Sequence, residues 1–351
     1  MNTKSVDAIA NAVLYEGYML YPYRPSSVKN RQRFNFGVLY PRSYSEAQTG
    51  SDAWSLQTEC LVEGASVTAV EIKVRFLKLV DRSVRQPVRS LSPDGVPGFE
   101  AVSVLEVDGK VFTSWQEAIE CEVPVPTCNV DALTATPLEW KFAFPGKEET
   151  ETLCDESGRT VGVIVRQQEL VQGTLEITAV HAGDELFKVQ VRVKNLTSVQ
   201  ANSPEITREQ ALTRSLVSAH IVLGVLDGQF VSLLDPPENL KEVAASCQNA
   251  GAWPVLVGEG KHDTMLASPI LLYDYPQIAP ESPGDLFDGT EIDEILALRI
   301  LTMTDDEKRE MRNTDDRARK ILERTESLPM EHLMKLHGTL RELRSLKEEV
   351  P

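Results

Sequence analysis

The feature that most constrains the fold is a period-two alternation of apolar and polar residues that extends from about residue 34 to residue 200. In ELFKVQVRVKNLT, four of the five residues on one parity are apolar, the set being Phe187, Val189, Val191, Val193 and Asn195. Because successive side chains of a strand point to opposite faces, this pattern predicts a half-buried strand. VEIKVRFLKLV shows the same pattern, and its apolar face consists of Val70, Ile72, Val74 and Phe76.

Turn sequences separate these predicted strands, and no helical crossover lies between them. The turns are rich in Gly, Pro and Asp, and they fall at 92–98, 108–109, 144–149, 156–159 and 181–185. Many short strands joined in this way are typical of an antiparallel sandwich or barrel.

Helical periodicity appears before and after this region. Residues 5–20 predict a short N-terminal helix, and Thr207 with Gln210 predicts a capping box that begins a helix extending to Ala219. Further along, Asp227-Gly228 predicts a hairpin, PPENLKEVAASCQNAG a short helix, and WPVLVG and SPILLYDYP two buried strands. The last 60 residues predict at least three helices, whose start signals are Thr290, Thr304 with Glu307, Thr314 and Ser327.

The predicted fold class is therefore α+β, with an antiparallel β-sandwich or barrel-like N-terminal region followed by a mixed and then a helical C-terminal region. The predicted divisions are 1–203, 204–289 and 290–351. A narrow apolar stripe in the last division indicates either a helix that packs on its own domain or a helix that self-associates or binds a partner, and it consists of Leu333, Leu336, Leu340 and Leu343.

Net charge, hydrophobicity and cysteine content indicate the cellular compartment and the kinds of partner to expect. A formal charge of −17 argues against a general nucleic-acid binder, which needs a basic face to neutralise phosphates. We expect no membrane span, because no run of eighteen apolar residues occurs. We also expect no signal peptide, because the first twenty residues contain Asp7 and Glu16 and lack an uninterrupted apolar region and a small-residue cleavage site. Five scattered cysteines are typical of a reducing compartment, so the expected location is the cytoplasm.

Motifs for catalysis and metal binding are weak. Cys121 and Cys128 are too far apart for the usual zinc-ligand spacing, and we expect buried thiols instead. His262-Asp263 is consistent with an exposed acid–base pair, but a loop histidine near a turn is the simpler interpretation. No nucleophile elbow or phosphate-binding loop is present in the sequence. We therefore predict no catalytic residues, no metal site and no cofactor.

Two segments remain as candidate binding surfaces. The first, residues 15–44, is named here the tyrosine–arginine segment, because it holds six of the eight tyrosines and five basic residues. The second, residues 274–294, is rich in carboxylates. The segments either bind a partner or pair with each other, and metal binding or simple helix capping also fits the carboxylates. The predicted partner-binding residues are Tyr21, Tyr23, Arg24, Lys29, Arg31, Arg33, Asp285, Asp288 and Glu291.

The same two segments carry a family resemblance. LYEGYMLYPYRPSSVKNRQRFNFGVLYPRSYSEA and SPILLYDYPQIAPESPGDLFDGTEIDEILALRILTMTDDEKREM resemble an uncharacterised bacterial protein family encoded alongside high-affinity, uptake-type nickel–iron hydrogenases. The resemblance implies a context of hydrogenase assembly, maturation or support. It transfers no catalytic residue to any position of this chain.

The leading hypothesis is thus a non-catalytic accessory or assembly protein whose partners are hydrogenase subunits or other maturation proteins. One alternative is a sandwich-class hydrolase or ligand-binding enzyme that uses carboxylates near 274–294, together with His262. Another alternative is a metal-binding structural module. The oligomeric state stays open.

Overall fold

The structure is a computed structural model, and a large antiparallel sheet with helices towards its C-terminus defines it as an α+β protein. It describes residues 3–18, 20–25, 27, 30, 35–50, 52–91, 97–199, 206–258, 260–278, 284, 286 and 293–336. None of the helices in these ranges is both long enough and apolar enough to cross a membrane.

Thirteen strands form within the described residues. They are β1 Ser55–Leu91, β2 Pro97–Val102, β3 Val104–Val107, β4 Lys110–Thr113, β5 Trp115–Asn129, β6 Leu138–Phe144, β7 Lys147–Cys154, β8 Thr160–Gln168, β9 Val171–Gly183, β10 Leu186–Asn195, β11 Val217–Val231, β12 Trp253–Leu256 and β13 Thr264–Ser268. Strands β3 and β4 form a separate two-stranded sheet, and the other eleven belong to one sheet.

Strand β1 organises the large sheet because it changes partners along its 37 residues. Residues 55–63 pair with β10, residues 61–77 with β11 and residues 69–82 with β5. Its last part pairs with β8 and then with β2. Strand β11 lies beyond residue 204 and pairs directly with β1, so described residues on both sides of the boundary predicted at 203/204 contribute to one sheet and one core.

The apolar residues that alternate with polar ones along β10 and β1 form much of the main core. The apolar parity of β10 is buried and the opposite parity is partly exposed, as expected for a strand with one face on the core. Phe76 of β1 contacts Phe142 and Phe144 of β6 at ring-centroid distances of 6.3 and 5.4 Å. Since β6 is not a hydrogen-bonded neighbour of β1, these contacts show that the sheet curves to enclose apolar side chains.

Nine α-helices surround the sheet in the described residues. They are α1 Thr3–Leu14, α2 Arg42–Ala47, α3 Val130–Ala135, α4 Arg208–Leu212, α5 Lys241–Ala245, α6 Asp293–Leu301, α7 Asp305–Thr314, α8 Asp316–Glu326 and α9 Met330–Leu336. The predicted capping boxes of α4 and α7 are both present, with Thr207 paired to Gln210 and Thr304 paired to Glu307.

A second apolar core joins the N-terminal region to the C-terminal helices. Leu77 and Leu79 of β1 contribute to it from the sheet, since this part of β1 is buried on both faces. Tyrosines of the tyrosine–arginine segment and apolar residues of α6, α7 and α8 complete it. Helices α6, α7 and α8 therefore pack on the protein's own sheet.

Four local predictions are wrong. Asp227-Gly228 lies within the continuous strand β11 and forms no hairpin. Helix α4 is predicted to extend to Ala219, but it ends at Leu212 because β11 begins five residues later. Most of SPILLYDYP, after its first residue, is a loop. Helix α8 is capped by Asp315, whose carboxylate accepts from two backbone N–H groups, and Thr314 instead ends α7. Thr290 and the leucines beyond residue 336 lie outside the described residues.

Candidate functional site

Tyr23 of the tyrosine–arginine segment lies inside the protein. It is fully buried, and its hydroxyl donates a hydrogen bond of 2.5 Å to the backbone carbonyl of Leu286. Tyr21 packs edge-on against Tyr23 at a centroid distance of 6.2 Å, and the Arg299 guanidinium lies 5.5 Å from the Tyr21 ring. The hydrogen bond to Leu286 links this segment to the carboxylate-rich segment through a backbone carbonyl and involves none of the predicted charge pairs.

Arg24 also pairs within the chain, although not with the predicted carboxylates. Its guanidinium lies 3.0 Å from Glu307 and 3.6 Å from Glu310, both on α7. Hydrogen bonds from Thr304 and the charge of Arg24 lower the pKa of Glu307, which keeps this carboxylate ionised. Arg24 thus joins the tyrosine–arginine segment to the first turn of a C-terminal helix.

The remaining predicted partner-binding residues lie outside the described part of the chain, namely Lys29, Arg31, Arg33, Asp285, Asp288 and Glu291. Partner binding by this set therefore stays a prediction. For Tyr23, full burial means that a partner does not reach its side chain in this conformation.

A cleft of about 1540 Å³ opens beside the Arg24 contacts. Several distant parts of the chain line it: Pro25 and Asn30, Asp81 of β1, the β3–β4 hairpin with residues 103 and 113–116, the region around α4, and α7. Gln167 and Glu169 at the end of β8 complete one wall. Periodicity within single segments gave no signal for this cleft, because only the tertiary fold brings its walls together.

Arg82 fixes two of these walls relative to each other. Its Nη1 donates to the Thr314 carbonyl at 2.9 Å, and its Nη2 donates to the Thr113 carbonyl at 2.8 Å. A cation at the C-terminus of α7 also interacts favourably with the helix dipole. Arg82 is buried and is also paired with Glu117 at 2.9 Å, so a buried, ion-paired guanidinium holds the end of α7 against residue 113.

A second surface feature is the loop of residues 268–275, named here the 268–275 loop. Asp274 anchors it, since its carboxylate accepts from the Leu256 backbone N–H at 2.7 Å and from the Ser232 hydroxyl at 2.5 Å. Despite this anchoring, Leu271 and Tyr273 are 74% and 87% exposed. Sequence reasoning missed this surface because the apolar run predicted a buried strand.

The exposed apolar surface continues beyond the loop. The Ser232 hydroxyl that binds Asp274 also accepts from the backbone N–H of Leu234, and the Leu234 side chain is largely exposed. Trp253, at the start of β12, is exposed as well and pairs with Ser268 at the base of the loop. Exposed apolar groups on a fixed backbone are typical of a protein interaction site.

Asp274 and His262, from the hydrolase alternative, have structural contacts. Asp274 holds the 268–275 loop, and His262 Nδ1 lies 3.1 Å from the Phe230 carbonyl. Burial raises the pKa of the Cys121 thiol to about 11, so it stays protonated at neutral pH. Within the described ranges, no group of three or more His, Cys, Asp or Glu side chains is placed to hold a metal ion.

Comparison with known proteins gives no family assignment: no protein-family model matches the chain, and no curated protein matches it. The resemblance to the hydrogenase-associated family therefore stays an expectation based on the two segments quoted above.

Proposed function

We propose that this protein is a non-catalytic accessory or assembly protein for a nickel–iron hydrogenase, and that it acts through protein–protein contacts. The observation that carries this proposal is the exposure of Leu271 and Tyr273 on a loop that Asp274 anchors to the sheet. The resemblance supplies the identity of the partner, and the structure supplies the surface.

The anchoring explains how this loop would bind tightly. Association is opposed by the entropy lost when a flexible segment becomes ordered, and a fixed loop reduces that loss. Tyrosine adds a large contact area with few rotatable bonds, which is why it is enriched among energetically dominant interface residues. Burial of Leu271 in an apolar pocket of the partner would contribute roughly 1.5–3 kcal/mol.

The strand next to the loop, β12, offers a partner little opportunity for backbone pairing. Strand β12 is the last strand in the sheet order, so its outer edge could in principle pair with another chain. However, Pro254 has no backbone N–H, and the N–H and carbonyl of Leu256 are engaged by Asp274 and Tyr275. We therefore expect recognition through apolar side chains rather than through strand addition.

An affinity pull-down from the native host, analysed by mass spectrometry, tests the proposal. We expect the wild-type chain to capture hydrogenase subunits or their maturation proteins. The double variant Leu271→Ser with Tyr273→Ser should lose them, while its fold stays unchanged because both side chains are exposed.

Val67→Ser provides the matched control, since Val67 is 67% exposed on a different part of β1. This variant should retain the captured proteins. Capture of no hydrogenase-related protein by the wild type would refute the proposed partner. Equal capture by the wild type and the loop variant would refute the proposed surface.

A further inference from the structure

The cleft of about 1540 Å³ shares no lining residue with the 268–275 loop. We propose that it binds an extended basic peptide segment of a partner protein. The proposal rests on the proposed function for the origin of the peptide, but its argument comes from the size, the polarity and the charge of the cleft.

The size favours a peptide over a metabolite. Pockets for small molecules usually have volumes of roughly 300–1,000 Å³. The volume of this cleft exceeds that range, and its walls come from the sheet, a hairpin and two helical regions. A groove with these dimensions accommodates several consecutive residues of an extended chain.

The wall formed by the β3–β4 hairpin and its flanking residues offers both apolar and hydrogen-bonding contacts. Val104 is 51% exposed, and Val111 lies on the paired strand of the hairpin. Ser103 and Thr113 also line the cleft, and neither hydroxyl makes a hydrogen bond within the described chain. Hydroxyls both donate and accept, so they suit the alternating N–H and carbonyl groups of a peptide backbone.

The charge of the cleft selects for a basic ligand. Each of its three arginines already faces a carboxylate: Arg208 faces Asp52 at 4.0 Å, Arg214 faces Glu169 at 2.9 Å, and Arg309 faces Asp306 at 2.8 Å. Asp81 and Glu209 also line the cleft, and neither forms an ion pair within the described residues. Negative charge is therefore in excess, and lysine or arginine side chains of a ligand would complement it.

The proposal is tested by selection from a display library of random short peptides on the immobilised full-length protein. Recovered peptides should be enriched in Lys and Arg. A fluorescein-labelled copy of the most frequent one should bind the wild type in an anisotropy titration, with affinity that decreases as salt increases.

Charge-reversal variants separate the cleft from general attraction to an acidic protein. Asp81→Lys with Glu209→Lys should weaken binding of the labelled peptide by about tenfold or more, because two attractive contacts become repulsive. Both side chains are exposed, so we expect the thermal midpoint to be retained. The control carries the same charge change outside the cleft, at Asp184→Lys with Glu242→Lys, and should bind within about twofold of the wild type.

Three results would overturn the inference: recovery of no binding peptide, recovery of peptides without basic enrichment, or an equal loss of affinity in the cleft and control variants. The outcome is independent of the pull-down that tests the 268–275 loop. Peptide binding without capture of a hydrogenase-related protein would reject the proposed function but support peptide binding by the cleft. Capture of such a protein without peptide binding would reject only the peptide-binding proposal.

Discussion

His220 gives a prediction in which one buried side chain makes the fold sensitive to pH. The imidazole is fully buried on β11, and its Nδ1 lies 2.7 Å from the Ser218 carbonyl. Because a carbonyl only accepts, Nδ1 carries the proton and Nε2 accepts from the Ser268 hydroxyl at 3.2 Å. Burial lowers the pKa of His220 to about 4, and the nearby positive charge of Arg75 also lowers it, while the hydrogen bond to Ser218 opposes the change.

The direction and the size of the effect follow from this pKa. A histidine in the unfolded chain has a pKa of about 6.5, so acidification protonates the unfolded state first. The stabilisation is fully present above about pH 6.5 and is lost progressively as the pH falls towards about 4. Between about pH 7.5 and about pH 5, the free energy of unfolding should decrease by about 2 kcal/mol through His220 alone.

Urea denaturation at these two pH values, at constant ionic strength, measures the effect. The comparison variant is His220→Asn, which does not titrate and keeps an N–H donor that can reach towards Ser218. We expect the variant to be less stable at neutral pH but to lose about 2 kcal/mol less than the wild type on acidification. Parallel losses in the two proteins would refute the assignment of a neutral, buried imidazole.

Three further predictions concern the contacts that hold the tyrosine–arginine segment and α7. Tyr23→Phe should lower the free energy of unfolding by about 1–3 kcal/mol in urea titrations, because the Leu286 carbonyl loses a buried donor; an unchanged midpoint would contradict this. Arg24→Glu should cost about 1 kcal/mol, and adding Glu310→Arg should recover part of it, so failure to recover would exclude the ion pair as the cause. Thr304→Ala should cost about 1 kcal/mol by calorimetry, whereas Thr304→Ser should be nearly neutral; equal losses would argue against the cap.

Local patterns predicted the parts of the fold whose determinants are local. The alternation in β10 correctly identified its buried face, and the capping boxes at Thr207 and Thr304 correctly located the starts of α4 and α7. In each case the residues that determine the structure, whether an alternating strand or a helix cap, lie within a few positions of one another in the sequence. The same reasoning identified the N-terminal helix and the α+β class.

Tertiary contacts explain where the local patterns failed. Asp227-Gly228 has the composition of a hairpin turn, but pairing with the long strand β1 keeps β11 continuous across it. From Val217 onward the chain likewise pairs with β1. Helix α4 therefore ends at Leu212, although the helical pattern of the sequence continues beyond it. The apolar run after Ser268 predicted a strand, whereas Asp274 hydrogen bonds fix it as a loop.

The candidate sites were the least predictable features. The sequence indicated that Tyr23 and Arg24 belong to a binding segment, but only the structure shows their contacts with Leu286 and α7. The cleft combines segments separated by up to about three hundred residues, from Pro25 to Glu310. Neither periodicity nor motif spacing encodes such a juxtaposition, because it depends on how the sheet curves and where the helices pack.

The most direct test of the central claim is photo-crosslinking from position 273 in the native host. A photoreactive phenylalanine analogue in place of Tyr273 presents its reactive group at a side chain that is 87% exposed. The same analogue in place of Val67 serves as the control. The account predicts a covalent adduct between position 273 and a hydrogenase subunit or maturation protein, absent from position 67. Identical adduct patterns from the two positions, or none containing such a protein, would contradict it.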